Sequence, residues 1–427
     1  MAKLKPSKDR RQVGVVATRL KGSDGVSLET QKWTDVLERL GYECFYLTGE
    51  SDRSDGRIHL IPEVHFKHPE IERIYTAAFS ERSRPPEISQ AIHQMTDHLK
   101  RKIEAFVEEF GIDLLLLENA VTIPLNLPLG LALTEFIAER SLPTIAHHHD
   151  FFWERKRFLV NCIWDYLNMA FPPHLPSIRH VVINSSASNQ LSLRTGISAM
   201  IIPNVMDFEH PPAAPDGYTE RLREDIGIQD WELFFLQPTR VVQRKGIEHA
   251  IELIYALGFP ARLVISHASG DEGHAYERRV RRFADQMNVR VNFLSDIIGP
   301  QRGQTEDGRR VYSLADVYPF ADLVTYPSTI EGFGNAFLEA VYFSRPLLVN
   351  NYSIFAIDIK PKGFRVIEFD DFISEETVEQ ARRVLGDQAL AREMTEHNYA
   401  LARRHYSYAM LERRMETLLM DCFGEER

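Results

Sequence analysis

Short apolar runs of the kind that form β-strands alternate with longer amphipathic runs along most of this 427-residue chain. The alternation occurs twice, before and after a proline-rich stretch at residues 207–219 that is typical of a linker. Strands that alternate with helices favour parallel sheets with helices on both faces. The sequence therefore predicts an α/β protein of two doubly wound, Rossmann-like domains that face each other across a cleft.

The predicted domains span residues 1–205 and 206–404. Residues 51–85 are polar and irregular in pattern, and we predict loops there. A final helix is predicted over roughly 398–420, and it either pads the second domain or crosses back to the first. The predicted strands are Val13–Ala17, Cys44–Leu47, Asp113–Leu117, Thr144–Ala146, Val181–Ile183 and Met200–Ile202 in the first set, then Leu233–Gln237, Arg262–Ser266, Val291–Leu294, Leu323–Tyr326 and Leu347–Val349 in the second.

Composition excludes several classes of partner. A formal net charge of −11 argues against nucleic acid as a main partner. The most apolar stretch, residues 113–138, is interrupted by charged residues and prolines, so a membrane partner is not expected. The three scattered cysteines show no metal or redox spacing and favour a cytoplasmic location. A homodimer is left open.

The most informative segment follows the predicted strand Leu323–Tyr326. It reads Glu331-Gly332-Phe333-Gly334-Asn335, and Glu339 lies about one turn (~3.6 residues) into the helix that follows. Glycines let a ligand approach the backbone, and the first amides of a helix carry partial positive charge. A carboxylate accepts two hydrogen bonds, which suits a pair of sugar hydroxyls. The pattern predicts a sugar-nucleotide site, and the alternative is a capped surface helix with two solvated glutamates.

A second motif follows the strand Leu233–Gln237. Arg240 offers a planar guanidinium and Lys245 a compact charge, and both groups suit phosphate. The Lys245-Gly246 junction places charge beside a helix N-terminus, where anions bind. An isolated pair of this kind is also common in solvated basic loops, so the position at a strand end is what favours a phosphate site.

Taken together, the two motifs resemble those of the retaining glycosyltransferases of family 4, which have the GT-B fold. Residues 202–207, Ile-Pro-Asn-Val-Met-Asp, resemble the family's Pro-Asn-Gly-Val-Asp boundary motif with a changed turn. The resemblance is strongest over residues 200–350. It implies that the final helix, about 405–427, crosses back to the first domain.

The resemblance also implies roles for individual residues. Arg240 and Lys245 would bind the donor diphosphate and stabilise it as it leaves. Glu331 would hold hydroxyls of the transferred sugar, helped by the backbone of residues 332–335, and Glu339 would hold the nucleotide ribose. In the family a Gly-Gly loop follows the first strand. The matching residues here are Asp24 and Gly25. Gly25 fits close phosphate approach, and Asp24 departs from the pattern and is predicted to touch hydroxyls of the acceptor or of the sugar.

The run His147-His148-His149 follows another predicted strand. We expect no metal there, because no further ligand at a supporting spacing is evident. By the resemblance, a histidine that closes this strand lies near the reacting anomeric carbon. His149 matches that place best, as a neutral imidazole or through its carbonyl, and either neighbouring histidine remains a candidate. A polar strand end that lines a loop is the alternative.

Four further residues are acceptor candidates. Glu118 and Asn119 end a predicted strand. Trp153 could stack on a sugar face and Arg155 could bind an anionic acceptor, although a helix packing face explains these two residues equally well.

The expected reaction transfers a hexose from a nucleoside diphosphate sugar, of the UDP-glucose or GDP-mannose type, to a hydroxyl of a small soluble acceptor or saccharide. Configuration is expected to be retained, with no metal and no cofactor. No protein nucleophile is assigned, and Glu331 is the one rival for that role. The alternatives are a sugar-nucleotide epimerase or phosphorylase of related fold, and a non-catalytic protein that binds sugar nucleotides.

Overall fold

The computed structural model describes residues 10–22, 25–53, 56–270 and 273–424. The chain divides into two compact units. Unit 1 comprises Met1–Asn204 with Tyr408–Arg427, and unit 2 comprises Val205–Ser407. Each unit contains its own parallel sheet with helices in the connections, so the predicted α/β architecture of two doubly wound domains is confirmed.

Unit 1 is built on a seven-stranded parallel sheet of order β3-β2-β1-β4-β5-β6-β7. Strand β4 reads Leu-Leu-Leu-Leu-Glu and is buried along its whole length, as expected for a strand covered by helices on both faces. The elements are β1 Gln12–Ala17, α1 Gly25–Arg39, β2 Glu43–Thr48, β3 Ile58–Leu60, α2 Pro69–Ser80, α3 Pro86–Phe110, β4 Leu114–Glu118, α4 Leu127–Arg140, β5 Thr144–His148, α5 Trp164–Ala170, β6 Ile178–Val182, α6 Ser185–Thr195 and β7 Ala199–Ile201.

Unit 2 contains a six-stranded parallel sheet of order β10-β9-β8-β14-β15-β16 and a small three-stranded sheet of order β11-β13-β12. In each large sheet the strand order reverses beside the first strand, at β1/β4 and at β8/β14. The elements are α7 Leu222–Asp225, β8 Leu233–Gln237, α8 Ile247–Leu257, β9 Ala261–Ile265, α9 Ala275–Gln286, β10 Arg290–Phe293, β11 Ile298–Gly299, β12 Gly303–Gln304, β13 Arg310–Ser313, α10 Leu314–Val317, β14 Leu323–Tyr326, α11 Asn335–Tyr342, β15 Leu347–Asn350, β16 Ile367–Phe369, α12 Glu375–Gly386 and α13 Gln388–His405.

Two sequence-based expectations about elements were wrong. Residues 51–85 contain β3 and the twelve-residue helix α2, whose buried face is formed by Ile71, Ile74 and Ala78. Glutamate and arginine on its other face give this segment its polar composition. The predicted final helix is two helices, because α13 ends at His405 and α14 spans Tyr408–Phe423. Helix α14 is part of unit 1.

Among the residues that the structure describes, none of the helices combines the length and the apolar content that a bilayer span requires.

Candidate functional site

In unit 2, charged side chains converge where β8 and β14 end. The loop after β8 carries Arg244 and Lys245, and the loop after β14 carries Glu331. Glu331 accepts hydrogen bonds from Lys245 Nζ and, at 3.1 Å, from Arg244 Nη1. The Glu331 and Lys245 side chains are each only 10% exposed. Tertiary folding thus unites two motifs that lie 86 residues apart in the chain. We call Arg240, Arg244, Lys245 and Glu331 the cation cluster.

The charge state of the cation cluster follows from its contacts. Burial by itself would raise the pKa of Glu331, but the charges of Lys245 and Arg244 outweigh it and hold that pKa below its ordinary value. Arg240 is exposed at the end of β8. Beyond β9, burial and then the charges of Lys245 and Arg240 lower the pKa of His267. Three cations and one carboxylate therefore leave this strand edge with a net positive charge.

The two loops of the cation cluster are held together by backbone contacts. Thr329 N donates to Arg244 O at 2.9 Å. Gly246 has a φ of +57°, and a Cβ there would lie 2.5 Å from the carbonyl oxygen of Pro327. A glycine is therefore required for both its backbone conformation and its close approach to the neighbouring loop.

The Gly-Phe-Gly-Asn turn leads into α11. Gly334 has a φ of +127°, and a Cβ there would lie 2.6 Å from the hydroxyl oxygen of Tyr352. That hydroxyl donates to Phe333 O at 2.7 Å. The Phe333 ring is buried against Tyr406, with ring centroids 5.3 Å apart, so its side chain anchors the turn. Gly332 is exposed, and Asn335, which begins α11, is half-buried.

Glu339 lies on α11 and is positioned by a buried tyrosine. The Tyr318 hydroxyl donates to Glu339 Oε2 at 2.7 Å. Burial and the Glu339 charge raise the pKa of Tyr318 well above its ordinary value, so the hydroxyl keeps its proton and remains a donor. The Glu339 side chain is half-buried. Tyr318 therefore fixes the orientation of the carboxylate.

In unit 1, a buried carboxylate ends β4. Strand pairing places Glu118 opposite His147 on β5. Glu118 accepts from His147 Nδ1 at 3.1 Å and from His149 Nε2 at 3.0 Å, and its side chain is fully buried. His147 stacks on Trp33 with ring centroids 4.2 Å apart. We call Glu118, His147 and His149 the histidine cluster.

The contacts between Glu118 and the two histidines shift the pKa values of the cluster. Burial would raise the pKa of Glu118, but His147 and His149 lower it to about 2. For His149, burial opposes protonation, yet the hydrogen bond and charge of Glu118 raise its pKa above the ordinary value. A protonated His149 donates hydrogen bonds, which differs from the neutral imidazole considered from the sequence.

The middle histidine of the run belongs to another environment. Successive side chains of a strand point to opposite faces, so His148 lies away from its two neighbours. It hydrogen-bonds Thr122 and, at 2.9 Å, His180 Nδ1. Burial lowers the pKa of His148 well below its ordinary value, and the charges of His180, His147 and His149 lower it further. His148 is therefore a neutral core residue.

The histidine cluster has the spacing of a metal site, with ligand-type atoms within 4.8 Å of one another. However, each imidazole already donates an N–H to Glu118. A metal on Nδ1 of His147 would move the hydrogen to Nε2, which is buried without a partner in the described structure. An unpaired buried N–H is costly. These contacts favour a hydrogen-bonded cluster over a metal site, and the absence of a metal stays a prediction.

The acceptor candidates Asn119 and Arg155 lie beside the histidine cluster. Asn119 has a φ of +56°, and its Oδ1 accepts from His149 N at 2.9 Å. Asn119 Nδ2 approaches Asp150 Oδ1 at 3.4 Å, and Arg155 pairs with Asp150. These contacts give the end of β5 a defined conformation.

The other candidates of unit 1 are placed differently. Trp153 stacks on Phe151 at 4.4 Å and donates Nε1–H to Gln190 Oε1 at 3.0 Å, so its ring serves packing in this structure. Gly25 is exposed at the first position of α1. Asp24 lies outside the described residues. The predicted ligand roles of these residues stay predictions.

Sequence reasoning overlooked several participants. Arg244 lies inside the Arg240–Lys245 motif, where its charge was the available signal. Tyr318 and His267 carry no sequence signal, because only folding brings them to Glu339 and to the cations. Glu118 was named from the sequence as an acceptor candidate, but its pairing with His149 was not foreseen because it depends on strand register.

The chain is similar to several known glycosyltransferases. Residues 219–401 match the family model described as "Glycosyl transferases group 1". Mannosylglucosylglycerate synthase of Thermotoga maritima is 30% identical over 424 residues, covering 91% of this chain and 95% of that protein. Its counterpart from Petrotoga mobilis is 29% identical, covering 83% and 86%. The solved glycosyltransferase of Rickettsia africae ESF-5 aligns with a TM-score of 0.68 at 12% identity, covering 98% of this chain and all of that one, 100%.

Proposed function

The chain belongs to the group 1 glycosyltransferases and has the GT-B fold, and from that premise we propose that it transfers a hexose from a nucleoside diphosphate sugar to a hydroxyl of a small acceptor, with retention. The cation cluster is the observation that carries this proposal. Its net positive charge lies at the strand edge of unit 2 where doubly wound sheets bind ligands. A departing diphosphate needs such charge.

The donor side of the reaction uses unit 2. Arg240, Arg244 and Lys245 bind the diphosphate and stabilise it after the bond to the anomeric carbon breaks. Because these side chains supply the charge, we propose no metal and no cofactor for this step. Glu331 keeps Lys245 in place and holds hydroxyls of the transferred sugar. Glu339, oriented by Tyr318, holds the ribose.

The sugar lies against the turn at residues 332–335 in this proposal, with backbone groups in contact because the Phe333 ring is buried. The acceptor hydroxyl attacks the anomeric carbon on the face that the diphosphate leaves, and its proton passes to the leaving phosphate. No protein nucleophile is assigned.

The acceptor side uses unit 1, where Asn119, Arg155 and His149 are the leading candidates. The names of the two synthases join mannose, glucose and glycerate. We extend this to the chain as mannosyl transfer, with glucosylglycerate as the acceptor. A cytoplasmic location fits the three free cysteines.

The direct test is a donor panel. The purified protein is incubated with GDP-mannose, UDP-glucose and other nucleotide sugars, with and without glucosylglycerate, and products are identified by mass spectrometry and NMR. We expect nucleoside diphosphate release that depends on the acceptor, and a product that keeps the donor's anomeric configuration. Conversion of a donor without acceptor to an epimer, or no transfer from any donor, would overturn the proposal.

A further inference from the structure

His149 has one ring nitrogen that the fold uses and one that it leaves available. Nε2 is bound to Glu118, and the backbone N–H is held by Asn119. For Nδ1, the described part of the chain offers no hydrogen-bond partner. The side chain is 11% exposed, whereas Glu118 is fully buried. His149 Nδ1 is therefore the atom of the histidine cluster that can hydrogen-bond to a ligand.

The positions of the protons can be worked out from the contacts. An ionised carboxylate only accepts hydrogen bonds, so His147 Nδ1 and His149 Nε2 both carry hydrogen. His147 Nε2 is buried and unpartnered in the described structure, which favours its bare lone pair over an N–H. The charge of Glu118 favours a second hydrogen on the ring of His149, and that hydrogen lies on Nδ1.

Other ionisable groups around His149 support this distribution. Glu29 of α1 and Asp150 both favour a protonated ring, while burial opposes it. His148 is neutral and His147 shares the Glu118 carboxylate. Arg155 is occupied by Asp150. The result is a cationic N–H donor at the carboxyl end of β5.

We propose that Glu118 is a positioning residue that keeps His149 a cationic donor, and that His149 Nδ1–H binds the carboxylate of an acidic acceptor. The inference rests on the proposed function and adds the residues that recognise the carboxylate of its acceptor. Glycerate-containing saccharides carry a carboxylate, and a charged donor binds it more strongly than a neutral one. The same sugar without the carboxylate gains nothing from this contact.

The test compares the wild type with Glu118→Gln on two acceptors, glucosylglycerate and its uncharged analogue glucosylglycerol. Loss of the charge on His149 should raise the KM for the acid about 10-fold. We expect the KM for glucosylglycerol and the donor Kd to stay within about twofold, since neither involves the charge. Glu232→Gln is the matched control, because Glu232 is a fully buried carboxylate paired with Arg262 in unit 2, and it should change neither KM.

A second readout does not require activity. The ring of His149 in the free wild-type protein should titrate, by NMR, above the ordinary pKa of histidine, and in Glu118→Gln it should titrate lower. Correspondingly, the KM for the acid should rise as pH rises through the wild-type His149 pKa, and the rise should begin at lower pH in the variant. The KM for glucosylglycerol should follow neither curve.

Three outcomes would overturn the inference. They are an unchanged KM for the acid in folded Glu118→Gln, a loss of donor affinity in place of acceptor affinity, or stoichiometric Zn²⁺ binding to the wild type that disappears in the variant. Zinc binding would make the cluster a metal site. If the wild type transfers sugar to neither acceptor, the proposed function fails, and the NMR titration still decides whether Glu118 controls His149.

Discussion

Glu118 and Glu331 occupy matching places in the two units. Glu118 ends β4, the strand next to β1, and Glu331 follows β14, the strand next to β8. Both carboxylates are almost fully buried and both are paired with cations. The partners differ in kind, since Glu331 is paired with a lysine and an arginine and Glu118 with two histidines.

The difference in partners separates the tasks of the two clusters. Arginine stays charged throughout the physiological pH range. Burial lowers the pKa of Lys245 below its ordinary value, and the charge of Glu331 opposes that shift. Histidine changes charge near neutral pH, so the charge of His149 depends on its pairing with Glu118. The carboxylate beside the first strand is therefore paired with lysine and arginine in unit 2 and with titratable histidines in unit 1.

The largest expected effect comes from removing the side chain of Lys245. Lys245→Ala should lower kcat about 10³-fold, because a cation on the leaving diphosphate stabilises the transition state. Unfolding followed by circular dichroism should change far less, since Arg244 still pairs with Glu331. Lys360→Ala, which removes a half-exposed lysine in the same unit, is the control. A folded Lys245→Ala enzyme with the wild-type transfer rate would show that the leaving-group assignment is wrong.

The next prediction concerns how the contribution of Glu118 to the free energy of unfolding changes as the pH falls. The folded pKa of Glu118 is about 2 and lies below the ordinary value of 4.5. Ionised Glu118 therefore stabilises the folded state at pH values above 4.5. This contribution to the free energy of unfolding, roughly 3 kcal/mol, is lost as pH falls toward 2. The free energy of unfolding, measured in urea at several pH values, should fall more steeply with decreasing pH for the wild type than for Glu118→Gln. If the two proteins lose stability in parallel, the cluster does not stabilise the folded state.

The close approach of the loops after β8 and β14 can be tested by replacing each of two glycines with alanine. Gly258→Ala places a side chain at a φ of +67° in open space and should cost about 1 kcal/mol. Gly246→Ala adds a clash with Pro327 O and should cost about 1–2 kcal/mol more, with reduced turnover. Thermal unfolding measures both. Equal destabilisation by the two changes would remove the argument for loop spacing.

The smallest effect concerns the orientation of Glu339. Tyr318→Phe removes one hydrogen bond and should weaken nucleotide binding about 5-fold by calorimetry, with kcat little changed. Tyr312→Phe is matched to it, because Tyr312 donates to Asp225 at 2.7 Å elsewhere in unit 2. Equal nucleotide affinities in the two variants would argue against a role for Tyr318 in the donor site.

Much of the fold was predictable because its signals are local. The buried run of β4 and the turn before α11 can be recognised within a few residues. Helix α2 was missed because its apolar face, Ile71, Ile74 and Ala78, is diluted by charged neighbours. The break between α13 and α14 was missed because Tyr406 and Ser407 interrupt a continuous helical pattern without glycine or proline.

The sequence by itself determined the two α/β units and the two motifs from which a sugar-nucleotide site is proposed, because periodicity and motif spacing depend on neighbours in the chain. Tertiary structure decided which charges meet. Lys245 reaches Glu331 because β8 and β14 are adjacent, and Glu118 reaches His149 because β4 and β5 pair in one register. Electrostatic interactions depend on distance and burial, and both of these arise only when distant segments pack together.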